Sequence, residues 1–209
     1  MVTGIVGRVP KVRERFGINL ERFERRALDP TGLRVAAVAV TLCTAHGVPS
    51  FVLTRRASKM RRHAGQWALP GGREDEGETA QDTARRELLE EVGLAVAPDA
   101  VLGLLDDYVT RSGFVITPVV VWAGDDPILV ADPREVAAIY VLPLAQLDRP
   151  DSPRFITIPE SPRPVVQMPL VDTLIHAPTA AILYQMREVV VHGRSTRVAH
   201  LEQPVFAWT

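Results

Sequence analysis

Strand-like and helix-like stretches follow one another irregularly along this chain. That pattern predicts an α/β fold, with a mixed β-sheet carrying helices on its faces. Three observations point there. Residues 79–92 carry apolar side chains at Ala80, Ala84, Leu88 and Val92, a recurrence that lines one face of a helix. Runs rich in Val and Ala at 33–45 and 115–123 have the length and composition of strands. No regular strand–helix–strand rhythm connects them, which favours a mixed sheet over a doubly wound parallel one. With 209 residues, 46% of them hydrophobic, the chain can bury a sizeable core. Its length suits one domain, or one domain with an appendage.

The elements follow in order. Residues 10–28 set Val12, Phe16, Leu20 and Phe23 at helix-like spacing among charges. This predicts an amphipathic helix ending near Asp29-Pro30, because the residue before proline disfavours helix. It would pack on the main body or on a second subunit, leaving a homodimer open. The expected division is an N-terminal helical extension over 1–30 and a main domain over 31–209. A strand at 33–45, a turn at His46-Gly47-Val48-Pro49 and a returning strand at 51–55 make a hairpin. A loop over 56–77 closes on Pro70-Gly71-Gly72. Thr79 with Asp82 three residues on fits a capping box for the 79–92 helix, and Gly93 stops it. Further strands are predicted at 101–108, 115–123, 128–130 and 136–141, then a short helical turn at 143–147. Strands at 154–158 and 165–170 precede a final helix at 179–191, with Gly193 just past it.

Composition excludes several classes. Lys+Arg is 24 and Asp+Glu 25, a formal net charge of −1. That balance argues against a broad nucleic-acid surface and against an acidic disordered chain. Lys11 and Lys59 are the only lysines, so 22 of the basic residues are Arg, which grips phosphate bidentately where Lys offers a point charge. Cys43 is the single cysteine; it rules out an intramolecular disulfide or a cysteine-based zinc site and reads as a small core residue. Residues 1–16 contain no continuous apolar segment of the secretory kind, and no apolar stretch approaches the ~20 residues of a membrane span. The expectation is a cytoplasmic protein without membrane or nucleic-acid partners.

Eight of the 25 acids lie between Glu74 and Glu91. Glu87, Glu90 and Glu91 stand at i, i+3 and i+4, on one helix face, where like charges cost about 0.2–0.5 kcal/mol per pair. A divalent cation removes that repulsion, and several carboxylates suit a hard ion such as Mg²⁺ or Mn²⁺. Such a face can equally be an ordinary solvated one. The surrounding residues decide. Gly72 is followed after five residues by Glu78, after seven more by Arg86-Glu87-Leu88, then by Glu90-Glu91 and Gly93-Leu94. This segment resembles the box of the Nudix hydrolases, matching every defined position. The resemblance implies a Nudix-type α/β/α sandwich and a metal-dependent attack of water on a nucleoside diphosphate linked to another moiety. It implies Glu87 and Glu91 as principal metal ligands, Glu90 as a further or water-mediated one, and the Gly72 backbone carbonyl as part of the shell. Arg86 and Glu78 would be an orienting pair. For the general base, a box Glu or an acid on a later loop is implied. Glu135 is the first candidate, Asp106 and Asp107 weaker ones.

The residues before the box are basic: Arg55, Arg56, Lys59, Arg61, Arg62 and Arg73 occur over 55–73 with no acid among them. Beside a presumed diphosphate site, such a loop suits anion capture. Val52-Leu53-Thr54, Arg56-Ala57, Arg61, Gly65 and Leu69-Pro70-Gly71-Gly72 keep the spacing of a motif that coenzyme A pyrophosphatases, a Nudix subgroup, carry before the box. Val52 and Leu69 depart from it conservatively, and Leu69 could alter a pocket wall. This second resemblance implies cleavage of coenzyme A or acyl-coenzyme A to 3′,5′-ADP and 4′-phosphopantetheine or its acyl derivative. Arg56 and Arg61 would contact phosphate, with His63 and Gln66 as neighbours. Trp67 would stack on adenine or serve as a hydrophobic wall. Two alternatives stand beside it: a Nudix hydrolase of another nucleotide such as ADP-ribose or NADH, and a Nudix-fold module that senses nucleotide without cutting it. The intact Glu87, Glu90 and Glu91 favour an enzyme.

Overall fold

The computed structural model describes residues 11–58 and 65–208. Its centre is an eight-stranded mixed sheet of β1 (Arg34–Ala45), β2 (Val48–Arg56), β3 (Trp67–Ala68), β4 (Gly71–Arg73), β5 (Val101–Leu104), β6 (Tyr108–Val109), β7 (Phe114–Asp125) and β8 (Val136–Pro143). The path runs β3-β2-β1-β7-β5, with β8 on β2, β4 on the start of β1 and β6 on β7. β1 and β7 are parallel, Arg34 aligned with Phe114 through Leu42 with Trp122; every other pairing in the sheet is antiparallel. The β1–β2 turn puts His46 at φ 48° and Gly47 at φ 78°, the two positive angles a tight hairpin needs.

Alternation along β1 sets the layers. Ala37 and Ala39 face helix α2 (Ala80–Val92), where they meet Ala84, Leu88 and Val92. Val40 and Leu42 face the opposite side, into a larger core with Phe16 and Leu20 of helix α1 (Val12–Glu21) and Leu183 and Met186 of helix α3 (Thr179–Met186). The result is an α/β/α sandwich. Alanines in β1 let α2 approach closely, and truncating the fully buried Leu88 to Ala would cost about 2–5 kcal/mol. Cys43 is buried in β1, its thiol pushed up to about 11 mainly by desolvation. Among the described residues, no helix is long and apolar enough to cross a membrane.

Several elements differ from the sequence expectation, each for a local reason. The first helix ends at Glu21 rather than near Leu28. Beyond it the backbone is captured by two buried carboxylates: Arg26 N–H donates to Asp106 (2.7 Å) and Leu28 N–H to Asp107 (2.8 Å). Those acceptors replace helical carbonyls. The strand expected over 101–108 breaks into β5 and β6 around the same two acids. Residues 128–130 form no strand. Val130 N–H bonds to Val92 O and Asp132 N–H to Glu91 O, satisfying the last carbonyls of α2. The loop over 56–77 contains β3 and β4. The last helix is α-helical only to Met186 and continues as a π turn over Arg187–Val191. A second, three-stranded sheet appears beyond the strands expected there: β9 (Arg154–Ile158), β10 (Ser161–Leu170) and β11 (Thr173–His176), all antiparallel.

Candidate active site

The acidic face belongs to α2, which begins as its sequence predicts. Thr79 Oγ1 accepts from Asp82 N–H and the Asp82 carboxylate accepts from Thr79 N–H, both at 3.2 Å. Gly93 ends the helix at φ 67°. Because Ala84, Leu88 and Val92 point into the sheet, Glu87 and Glu91 are carried to the edge of that face. Both are buried, while Glu90 is exposed. They lie against β4. A Cβ on Gly72 would sit 2.0 Å from Glu87 Oε1, so this close approach requires glycine.

Arg86 ties the loop to the helix. Its Nε and Nη2 donate to the two Glu78 oxygens at 2.8 and 3.1 Å, and Nη2 also reaches Arg73 O at 3.0 Å. Its Nη1 donates to Glu87 Oε1 at 2.8 Å and Glu90 Oε2 at 3.1 Å. Glu78 also accepts from Thr83 Oγ1 and Asp75 N–H. These bonds, Arg86 first, hold the Glu78 carboxyl down at about 2.

Glu91 is different. Burial pushes its carboxyl up to about 8; Arg56 opposes the rise, while Glu87 and Glu135 add to it. Burial likewise raises Glu87, with Arg86 opposing. Glu91 Oε1 has no hydrogen-bond partner, and neither does Arg56 Nε; Arg56 Nη1 stands 3.7 Å from Glu91 Oε1. A buried carboxyl oxygen without a hydrogen bond is costly, even with a guanidinium nearby. Among the described residues, no three His, Cys, Asp or Glu side chains converge as a ready cation cage, and Glu90 is engaged by Arg86. Two buried carboxylates with an orphaned oxygen nevertheless fit Mg²⁺ or Mn²⁺. Ions of the Mg²⁺ type take one or two carboxylates and complete their shell with water and substrate phosphate.

The other sequence candidates divide. Glu135 is half-buried ahead of β8, close enough for its charge to raise both Glu87 and Glu91, and its backbone O accepts from Ala57 N–H. Asp106 and Asp107 are structural pins. Asp106 pairs with Arg197 and accepts from Gln185, and Asp107 pairs with Arg25 and accepts from Thr117. These pairings leave both carboxylates engaged in holding the fold, which speaks against either as a general base. Arg61 and His63 lie outside the described residues, as do Lys59 and Arg62.

Arg56, Gln66, Gly72 and Arg73 line a cavity of about 420 Å³ on the sheet face away from α2. Gly71 and Gly72 therefore stand between the cavity and the carboxylates. Trp67 is a cavity wall, its ring 4.6 Å from that of Tyr140, and Leu69 lines the same space. Sequence reasoning missed the remaining wall, which includes Phe114, Leu174, His176, Ile182 and Phe206. No motif spacing links these positions. The only signal was the apolar character of the final helix.

Comparison with known proteins places this geometry. The family model "NUDIX domain" matches residues 32–158. The chain is 33% identical over 144 residues to Nudix hydrolase 3 of Caenorhabditis elegans, covering 65% of this chain and 60% of that protein. It is 40% identical over 118 residues to mitochondrial coenzyme A diphosphatase NUDT8 of Homo sapiens, covering 54% and 49%. The chain thus spans about half to three-fifths of the length of these relatives. A Nudix hydrolase from M. smegmatis, RenU, shares the fold with a TM-score of 0.52 at 22% identity, covering 77% of this chain and 88% of that one. A MutT/nudix family protein from Enterococcus faecalis does so with a TM-score of 0.56 at 17% identity, covering 82% and 66%. With the family model spanning more than half its length, the chain belongs to the NUDIX domain family.

Proposed function

We propose that this chain is a divalent-metal-dependent hydrolase that cuts the diphosphate of coenzyme A or acyl-coenzyme A, giving 3′,5′-ADP and 4′-phosphopantetheine or its acyl derivative. The observation that carries the hydrolase reading is the buried pair Glu87 and Glu91, with its orphaned Oε1, set behind Gly72 at a cavity that Arg56 lines. The coenzyme A part is supported by the Arg56 to Gly72 motif and by the similarity to the human coenzyme A diphosphatase.

In this reading Glu87, Glu91 and the Gly72 carbonyl hold Mg²⁺ or Mn²⁺, with Glu90 as a further or water-mediated ligand. The bound ion would neutralise phosphate charge and lower the pKa of water. Arg86, locked between Glu78 and Arg73 O, holds β4 against α2 so that Glu87 keeps its orientation. Arg56, with Arg61, His63 and Gln66, draws the phosphates in and orients them. Water's oxygen forms a bond to one phosphorus, the bond from that phosphorus to the bridging oxygen breaks, and the bridging oxygen departs on the other phosphate. Glu135 accepts the proton of the attacking water.

The test is incubation of the purified protein with Mg²⁺ or Mn²⁺ and a panel of nucleotides, with product identification. Release of 3′,5′-ADP from coenzyme A is expected. If ADP-ribose, NADH and dinucleoside polyphosphates are all cut far faster, the coenzyme A assignment fails.

A further inference from the structure

The cavity is walled by more than the family-matched stretch. That match ends at residue 158, yet β11, α3 and the turn Val205–Ala207 supply one whole side. Leu174, Ile175, Pro178, Ile182 and Phe206 are the apolar surface of that side. Across from them stand Val38, Phe114 and Ile116 of the central sheet.

On the late side Gln203, Thr179 and His176 each have one side-chain atom engaged within the protein. Gln203 Oε1 accepts from Arg111 N–H at 2.7 Å. Thr179 Oγ1 donates to Trp67 O at 3.3 Å. His176 Nδ1 faces Gln167 Nε2 at 3.5 Å, and its ring meets the Phe206 ring edge-on with centroids 5.1 Å apart. A nucleobase needs hydrogen-bond partners around its whole rim, and a side made chiefly of hydrocarbon supplies few of them, which is costly. An alkyl chain has none to satisfy and gains by leaving water. The same cavity reaches Arg56 and Gly72, so the pantetheine arm of a ligand held at the diphosphate site can run through it and bring its thioester end to this wall.

We propose that the C-terminal wall receives the acyl chain of a thioester substrate, making Phe206 and Ile182 specificity-determining residues that favour acylated over free coenzyme A. The inference rests on the coenzyme A reading above.

The experiment measures kcat/KM for free coenzyme A and its acetyl, hexanoyl and decanoyl thioesters, with wild type, Phe206→Ala and Ile182→Trp. Wild type should gain about tenfold or more from free coenzyme A to the hexanoyl thioester, chiefly through KM, since a few methylenes in an apolar pocket carry that much. In Phe206→Ala and in Ile182→Trp, which fills the space, the ratio should fall toward one. Phe206 is more than half exposed, so its variant decides the matter even if the buried Ile182 tolerates no Trp. Equal kcat/KM across chain lengths, unchanged in Phe206→Ala, overturns this inference and leaves coenzyme A hydrolysis standing. Turnover of other nucleotides with none of free coenzyme A or its thioesters overturns the coenzyme A reading, and this inference with it.

Discussion

The carboxylate cluster and the cavity wall, on either side of Gly71 and Gly72, are built on opposite principles. At the α2 edge, charged groups are crowded and one buried oxygen is left without a partner. At the C-terminal wall, the surface offered is chiefly hydrocarbon, from Leu174, Ile175, Pro178, Ile182 and Phe206. The first arrangement holds energy that a cation and phosphates can release. The second contributes shape and apolar surface. On the reading proposed above, chemistry and selectivity lie on opposite sides of Gly71 and Gly72, and substitutions on the two sides should fail in different ways.

The largest effect is expected from Glu91→Gln. Turnover should drop by roughly 100-fold or more, as for loss of a group acting on charge in the reaction, while thermal unfolding shows the fold retained. Unchanged turnover would mean the metal assignment is wrong. Gly72→Ala and Gly71→Ala make a sharper pair. On Gly72 the new Cβ meets the far end of the Glu87 side chain, which can swing aside, so activity should fall at least about tenfold with little loss of stability. On Gly71 it meets Ala37 O at 2.4 Å and Val38 Cα at 2.7 Å, so the fold itself should lose about 1–3 kcal/mol. Equal melting temperatures for the two would break the distinction. Arg86→Lys removes the fork that grips Glu78 and should lower activity by about 10–100-fold, read as kcat with metal saturating.

The smallest effect belongs to the other side. Glu202 pairs with Arg111 and accepts from Ser161 Oγ and Gln203 N–H, holding its carboxyl down at about 2. A depressed folded-state pKa gives stability that is present above the ordinary carboxyl range and is lost as pH falls toward 2. Melting temperature should therefore decline more steeply between pH 5 and 2 in wild type than in Glu202→Gln. Parallel curves would remove Glu202 from the account of acid stability.

What the sequence made legible follows the same division. α2 was readable because its signals are local: a four-residue apolar recurrence, Thr79 with Asp82, and Gly93. Its glutamates were readable because i, i+4 spacing fixes which face they share. The C-terminal wall was not, since Ile182 and Phe206 come to one cavity only through tertiary packing. The early end of α1 and the break between β5 and β6 share one cause that a local reading misses. Asp106 and Asp107 bind backbone N–H groups about 80 residues away in the chain. The same long-range pairing explains why two acids that read as weak base candidates are structural.

The most direct test of the central claim is metal binding itself, measured by titrating Mn²⁺ into wild type and into a Glu87→Gln, Glu91→Gln double variant and following the free ion by electron paramagnetic resonance. Sequestration of Mn²⁺ by wild type and its loss in the folded double variant is the predicted result. Equal binding by both proteins would contradict it.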